Sequence, residues 1–418
     1  MKKLVLNKKI KIVFFLRLFE GLRQGFEKKK WQPSGVPTIT NLIKNLDKSG
    51  WDLELFFTDF SSNIDLDSVS KSEYNIKISG LNNKINIMRT NLLYKNKFDK
   101  LLNLIKRIKK TIDYVSLCIK LKPDLIYIDR AHAFEGALIS RFLKIKVFLR
   151  MMGVAVYNIQ NLKKNKIRFF FYKWIFKSPF SYVLITNDGS DFETWTKLFL
   201  QKKVKFNSLI NGVNKNKKLS KYNLRKEFKN KILILFVGRL VGYKRCEIFI
   251  ESILNLNINF KKKIKALIVG DGEQKQKLIS KVNGSNDKSC FHFYGSLPND
   301  IVHNFYNQCH IFVSLNTLGN LCNTCLEAYS NGICCIIPES NNYIDKTTDK
   351  LIPTNAVRRI KSKNLTVNLT KEIEYLIKNP SEIKRNKFEI KKRSGSFIPT
   401  WNKRIKEEKQ IFTNLVND

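Results

Sequence analysis

Short continuous apolar runs alternate with helical periodicities along the chain. Ile12-Val13-Phe14-Phe15-Leu16 is one such run, as expected of a strand buried on both faces of a parallel sheet. A loop holding Pro33, Gly35 and Pro37 follows. Ile39, Leu42, Ile43 and Leu46 then recur at i, i+3, i+4 and i+7, which is one face of a helix. Gly50 closes that helix, and residues 53–58 read as the next strand. Residues 61–100 are weakly patterned. A long helix follows with Leu101, Ile105, Ile108, Ile112, Val115 and Ile119 along one side. Residues 124–128, 145–149 and 182–186 are further strands. The second half restarts the rhythm: strand 232–237, helix 247–254, strand 266–269, and short strands at 292–294, 311–314 and 333–337. Between the halves, residues 211–231 are rich in Lys and Asn and form a candidate hinge. Repeated strand–helix–strand units predict an α/β chain of two Rossmann-like, doubly wound parallel-sheet domains facing one another across a cleft. The expected boundaries are 1–208, 209–395 and a last helix, 396–418, whose apolar positions Trp401, Ile405, Phe412 and Leu415 should pack back on the first domain.

Composition narrows the classes. Lys and Arg number 77 against 35 Asp and Glu, a formal charge of +42, yet 43% of the residues are hydrophobic and 12% aromatic. That apolar content excludes a disordered basic tail. The excess is mostly Lys, with Asn and Ile also abundant, as an AT-rich genome would produce. Compositional drift and an anionic partner therefore both stay open. A nucleic-acid-binding protein is the rival the charge suggests. The charge is spread widely and no helix-turn-helix, zinc module or RNA-binding motif is present, so no nucleic-acid partner is expected. No run of about 18 apolar residues occurs, and Lys8, Lys9 and Lys11 interrupt the early apolar stretch, which reads as cytoplasmic. The segment 163–177 interleaves cations with Phe169, Phe170, Phe171, Tyr172, Trp174 and Phe176. It reads either as a core helix with a basic outer face or as a docking surface for an anionic membrane.

The eight cysteines fit a reducing compartment and mostly lie in apolar segments, as small core residues do. Cys322 and Cys325 form a CxxC with no second pair at zinc-finger spacing. The four histidines are scattered, and Asp65-Leu66-Asp67 lies in the weakly patterned stretch. No metal site and no cofactor is expected.

Three strand ends carry candidate chemistry. Gly238-Arg239-Leu240-Val241-Gly242-Tyr243-Lys244 follows a strand and sets two cations on one turn, either a diphosphate clamp or two solvated charges. Val269-Gly270-Asp271-Gly272 has glycines that let backbone approach a ligand, or simply turn. Ser314 to Gly332 leads into a helix whose expected N-cap is Asn323 or Thr324, an anion site by its backbone amides. Glu327 near that helix start either accepts from ribose hydroxyls or answers the helix dipole.

These pieces together resemble the GT-B glycosyltransferases, specifically the family 4 retaining enzymes of glycosyl transferases group 1. Ser34-Gly35-Val36, Lys122-Pro123-Asp124-Leu125-Ile126-Tyr127, Ile210-Asn211-Gly212-Val213, Gly238-Arg239-Leu240 with Lys244, Val269-Gly270-Asp271-Gly272 and Leu326-Glu327-Ala328 with Gly332 run in the family's order. The resemblance implies transfer of a sugar from a nucleoside-diphosphate-sugar donor to a hydroxyl on a lipid-linked or saccharide acceptor, without metal, in bacterial surface polysaccharide assembly. It implies that Arg239 and Lys244 hold the pyrophosphate as catalytic cations and that Glu327 binds the ribose. Gly295 and Ser296 would face the base, and Gly35 would admit the donor phosphates. Two departures stand out. The family's first glutamate is replaced by Gly319, so Asn320 and Asn323 are expected to take over its sugar contacts. The histidine usual after the fourth strand is missing, which leaves His132 as the candidate. A catalytically silent member that still binds nucleotide sugar is the rival these departures raise.

Overall fold

The computed structural model describes residues 9–31, 33, 35–60, 75–89, 97–154, 162–214, 222–341 and 344–417. The first domain is built on β1 (Lys11–Arg17), β2 (Asp52–Asp59), β3 (Asn75–Ile76), β4 (Ile85–Arg89), β5 (Leu125–Asp129), β6 (Val147–Met151), β7 (Tyr182–Thr186) and β8 (Lys205–Leu209). They form one sheet in the order β3-β4-β2-β1-β5-β6-β7-β8, parallel throughout except for the short β3 on one edge. The second domain holds β9 (Ile232–Val237), β10 (Ile264–Val269), β11 (Phe291–Gly295), β12 (Ile311–Val313), β13 (Cys334–Pro338) and β14 (Arg358–Ile360). Their order is β11-β10-β9-β12-β13-β14, all parallel. Central strands are apolar on both faces because helices cover both; β5, β6 and β13 are buried at every position. Strand order reverses between β1 and β5 in one sheet and between β9 and β12 in the other, and such switch points open a crevice at the carboxyl ends of the strands.

The helix Trp401–Asn417 lies against the first domain. Trp401, Ile405, Phe412 and Leu415 join the core formed by β1, β2 and the helix Pro37–Lys48, and the Phe412 ring sits 4.9 Å from that of Phe148. Fully burying each large apolar side chain contributes roughly 1.5–3 kcal/mol. An ion pair, Arg404 to Glu408 at 2.8 Å, is wholly buried under this helix, and the Tyr127 hydroxyl donates to Glu408 at 3.4 Å.

One helix faces the opposite way from its apparent pattern. In Lys97–Leu121 the expected apolar side is in solvent: Leu101, Ile105, Ile108, Ile112 and Ile119 are all more than half exposed. Thr111, Tyr114 and Cys118 form the buried side, and Val115 packs beside them. Tyr114 is held inward by hydrogen bonds at its hydroxyl, and those bonds set the helix rotation.

Candidate functional site

The second sheet's switch point lies between the ends of β9 and β12. From β9 the chain runs through Gly238 and Arg239 into a single turn of 3-10 helix, Gly242–Lys244. From β12 it runs through Ser314–Leu321 into the helix Asn323–Asn331. The two segments are tied together where Thr317 N donates to Tyr243 O at 3.1 Å. The turn after β10 closes the floor. Gly270 has φ +146°, and a Cβ there would stand 1.8 Å from Gly238 O, so no side chain fits between the two turns.

Arg239 is exposed and donates to the Tyr243 hydroxyl. Lys244 is half-buried and its Nζ lies 3.6 Å from Cys322 Sγ. Among the described residues no carboxylate forms an ion pair with either cation, whereas Lys275, Lys281, Arg358 and Arg404 all have one. Two cations with no carboxylate partner at a switch point form a candidate anion site. Glu327 accepts from Asn299 Nδ2 at 2.8 Å, and burial pushes its carboxyl up to about 7. Gly295 (φ +67°) ends β11 with its carbonyl accepting from Gly270 N at 2.8 Å, and Ser296 beside it is exposed.

The helix N-cap is Cys322, not Asn323 or Thr324. Asn323 bonds to the junction instead of capping: its Oδ1 accepts from Asn211 Nδ2 at 2.8 Å, and Asn211 Oδ1 accepts from Thr38 at 3.0 Å. That chain of bonds links the site to the junction and to the first domain, and Thr324 Oγ1 sits 3.3 Å from Cys322 Sγ. Glu327, the fifth residue of the helix, lies in its second turn rather than the first.

Two expected site residues are turned away. Asn320 is fully buried: its amide nitrogen and Nδ2 donate to the two oxygens of Asp345 at 2.6 and 2.5 Å, and its Oδ1 accepts from Ser314 at 2.9 Å. A side chain buried and bonded in this way props the loop. His132 is likewise wholly buried, with Nδ1 2.7 Å from Asp129 and Nε2 2.8 Å from Thr58 and 3.3 Å from Tyr114. It braces the ends of β2 and β5. Gly319 has φ +122°, and a Cβ there would meet Asp188 O at 2.4 Å. The position of the family's first glutamate is thus filled by backbone of the first domain. Gly35 has φ +77° with open space where a Cβ would be, while Ser34 and Asp65-Leu66-Asp67 lie outside the described residues.

The partners at Gly319 come from distant parts of the chain. Leu321 N donates to Asp188 O at 3.1 Å and Asp345 N to Gly189 O at 2.8 Å, joining the two domains. Burial pushes the Asp188 carboxyl up to about 7. Asn187-Asp188-Gly189-Ser190 is a turn signature after a strand, the one signal that marked this contact. Nothing in the local pattern marked Asp345. Among the described residues no group of three or more His, Cys, Asp or Glu side chains is placed to hold a metal ion.

Two Rossmann-like parallel sheets, each open at its switch point and joined by a returning C-terminal helix, define a GT-B-fold protein. Residues 220–394, most of the second domain, match the family described as Glycosyl transferases group 1. An uncharacterized glycosyltransferase of Methanocaldococcus jannaschii is 26% identical over 319 residues, covering 70% of this chain and 76% of its own. Sucrose-phosphate synthase from Thermosynechococcus elongatus superposes with a TM-score of 0.71 at 13% identity, over 97% of this chain and 99% of its own. Anabaena HepE, solved in complex with UDP and glucose, superposes with a TM-score of 0.65 at 14% identity, over 96% and 99%.

Proposed function

We propose that the chain is a glycosyltransferase that moves a sugar from a nucleoside-diphosphate sugar to a hydroxyl acceptor. The observation that carries this reading is the pair Arg239 and Lys244, unanswered by any carboxylate among the described residues, above a floor that admits only glycine. A departing nucleoside diphosphate needs such positioned positive charge, and in a closed cleft fixed charges act without reorganisation. Glu327 faces the ribose, Gly295 and Ser296 flank the base, Asn323 and Thr324 meet the sugar, and Gly35 and Gly270 give backbone access to the phosphates. The complex of HepE with UDP and glucose supports a uridine donor. Functional units of 1–208, 209–395 and 396–418 follow from the same reading. Titration calorimetry with UDP and GDP, beside a random oligonucleotide, tests it. Nucleotide binding with donor hydrolysis is expected, and oligonucleotide binding alone would overturn it. Binding without hydrolysis would make the chain a silent member.

Retention of anomeric configuration and independence of metal complete the proposal; turnover should survive EDTA, and loss restored by Mg²⁺ would refute that part.

The acceptor we favour is lipid-linked, in surface polysaccharide assembly, with the first domain docked on the cytoplasmic face of an anionic membrane. Among the described residues no helix is long and apolar enough to cross a membrane. In the helix Lys166–Phe176, Phe169, Tyr172, Ile175 and Phe176 pack inward, while Ile167, Phe170 and Phe171 are more than half exposed. Phe142 and the outward row of Lys97–Leu121 add further exposed apolar side chains. Large apolar groups beside Lys163, Lys164 and Lys166 suit a headgroup layer, at about 1 kcal/mol per cation. Sedimentation with anionic vesicles that falls with salt, and falls again on charge reversal of those lysines, is expected; no sedimentation at low salt rejects docking.

A further inference from the structure

Of the eight cysteines, seven are buried and Cys322 alone is part-exposed. It caps the nine-residue helix Asn323–Asn331, where unpaired backbone amides favour a negative charge. Cys325, one turn on, is fully buried with its Sγ 3.5 Å from Cys322 Sγ. Lys244 Nζ lies 3.6 Å from Cys322 Sγ, and Thr324 Oγ1 3.3 Å from it. Cys325 in turn lies 3.2 Å from Ser314 Oγ. A cation, a helix N-terminus and a second thiol therefore converge on the sulfur of the one part-exposed cysteine, the setting that favours a thiolate. The same features act on ionisation. Its hydrogen bond with Cys325, then the Lys244 ammonium, hold Cys322 well below an ordinary thiol, against the effect of burial. Burial and the neighbouring Cys322 push Cys325 well above. Burial alone pushes Cys118 up, and Cys246 in the same direction.

We propose that Cys322 and Cys325 form a reactive dithiol at the rim of the candidate site, with Cys322 as attacking thiolate, Cys325 as resolving thiol, and peroxides as the oxidants it takes. The Cys322 thiolate attacks one oxygen of hydrogen peroxide. The O–O bond breaks and the departing oxygen leaves as hydroxide, taking a proton to become water. Cys325 sulfur then attacks the resulting sulfenic acid, an S–S bond forms, and the second oxygen leaves as water with the Cys325 proton. Two thiols lose two electrons and one peroxide becomes two waters. The sulfurs must close from 3.5 Å to about 2 Å. Oxidation also removes the negative charge that faces Lys244. The disulfide form thus leaves that ammonium unanswered and should bind a diphosphate more tightly than the dithiol form, by linkage of the two charges. This last consequence rests on the anion-site reading of Lys244; the dithiol chemistry does not.

The test uses the full chain. At pH 6, iodoacetamide is expected to alkylate Cys322 at least about tenfold faster than any other cysteine in the folded protein. Hydrogen peroxide should consume two thiols and give one Cys322–Cys325 linked peptide by mass spectrometry, reversed by dithiothreitol. In Cys325→Ser the reaction should stop at a sulfenic acid on Cys322 that dimedone traps. Alkylation of Cys322 no faster than that of its buried counterparts, or peroxide that leaves the pair reduced, would overturn the proposal without using any variant. Calorimetry of UDP against the dithiol and disulfide forms separates the two readings. Disulfide formation with no UDP binding in either form keeps the dithiol and removes the nucleotide site.

Discussion

The polar cluster around His132 and the one around Lys244 occupy related places, each at the carboxyl end of a strand beside its sheet's switch point, and they are built in opposite ways. Around His132 both ring nitrogens are engaged, Asp129 also accepts from Arg17 N at 2.9 Å, and the whole group is sealed from water. Around Lys244 two cations stand with a tyrosine hydroxyl and a cysteine sulfur as partners and no carboxylate. Buried polar groups are tolerated when their bonds are complete. The His132 ring is fully bonded and the Lys244 ammonium is not, and on the function proposed above the second cluster is where a ligand belongs. The type of residue does not distinguish them, since a histidine beside an aspartate is the more familiar sign of catalysis.

That contrast breaks most sharply by mutation. Arg239→Ala or Lys244→Ala should lower turnover by about 10²–10³, on the order of 2–4 kcal/mol of transition-state stabilisation, with unfolding unchanged. Steady-state kinetics and a denaturant melt on the same samples check both halves. Near-full activity in both variants would remove the pair from the site. His132→Ala should do the reverse. It removes one bond each from Asp129, Thr58 and Tyr114 and leaves a void in a closed core, so stability should fall by about 2–4 kcal/mol, while kcat of the remaining folded protein changes less than about threefold. A large kcat loss with an unchanged melt would return His132 to the chemistry.

The two domains also differ in how much of them can be read from sequence. Central strands such as β1, β5, β7 and β9 are legible because burial on both faces writes them as continuous apolar runs. The edge strand β8 is not, being Lys-Phe-Asn-Ser-Leu and mostly exposed, and neither is β4, next to the two-residue edge strand β3 in the stretch without clear period. The apolar side of Lys97–Leu121 misleads because that helix is set by Tyr114 and Cys118 facing the sheet. In the site, glycine turns and the cation pair are local in sequence and so visible. The bracing of Asn320 by Asp345, the meeting of Gly319 with Asp188, and Lys244 beside Cys322 join residues far apart in the chain, and only the fold brings them together.

The smallest effect expected is at Glu327, which lies between the two kinds of cluster: bonded by Asn299, half-buried, and with a carboxyl pushed up to about 7 by burial. The raised value means the folded protein holds a proton that the unfolded chain gives up at the ordinary 4.5. Its stabilising contribution is therefore complete below about pH 4.5 and is lost as pH rises through about 7. Partial exposure screens the group, so roughly 1–2 kcal/mol is the scale. Glu327→Gln should flatten that part of the pH–stability curve measured in urea. Binding should carry the opposite sign. Ribose hydroxyls donate to a carboxylate, so a nucleotide favours the ionised form, and UDP affinity should climb with pH through about 7 in the parent protein. The phosphate's own titration is common to both proteins and cancels in the comparison with Glu327→Gln, whose affinity should be lower by about tenfold at pH 8 and lack the extra climb. Parallel affinity–pH curves for the two proteins would mean that Glu327 is bonded into the scaffold as His132 is, and that the donor's ribose is held elsewhere.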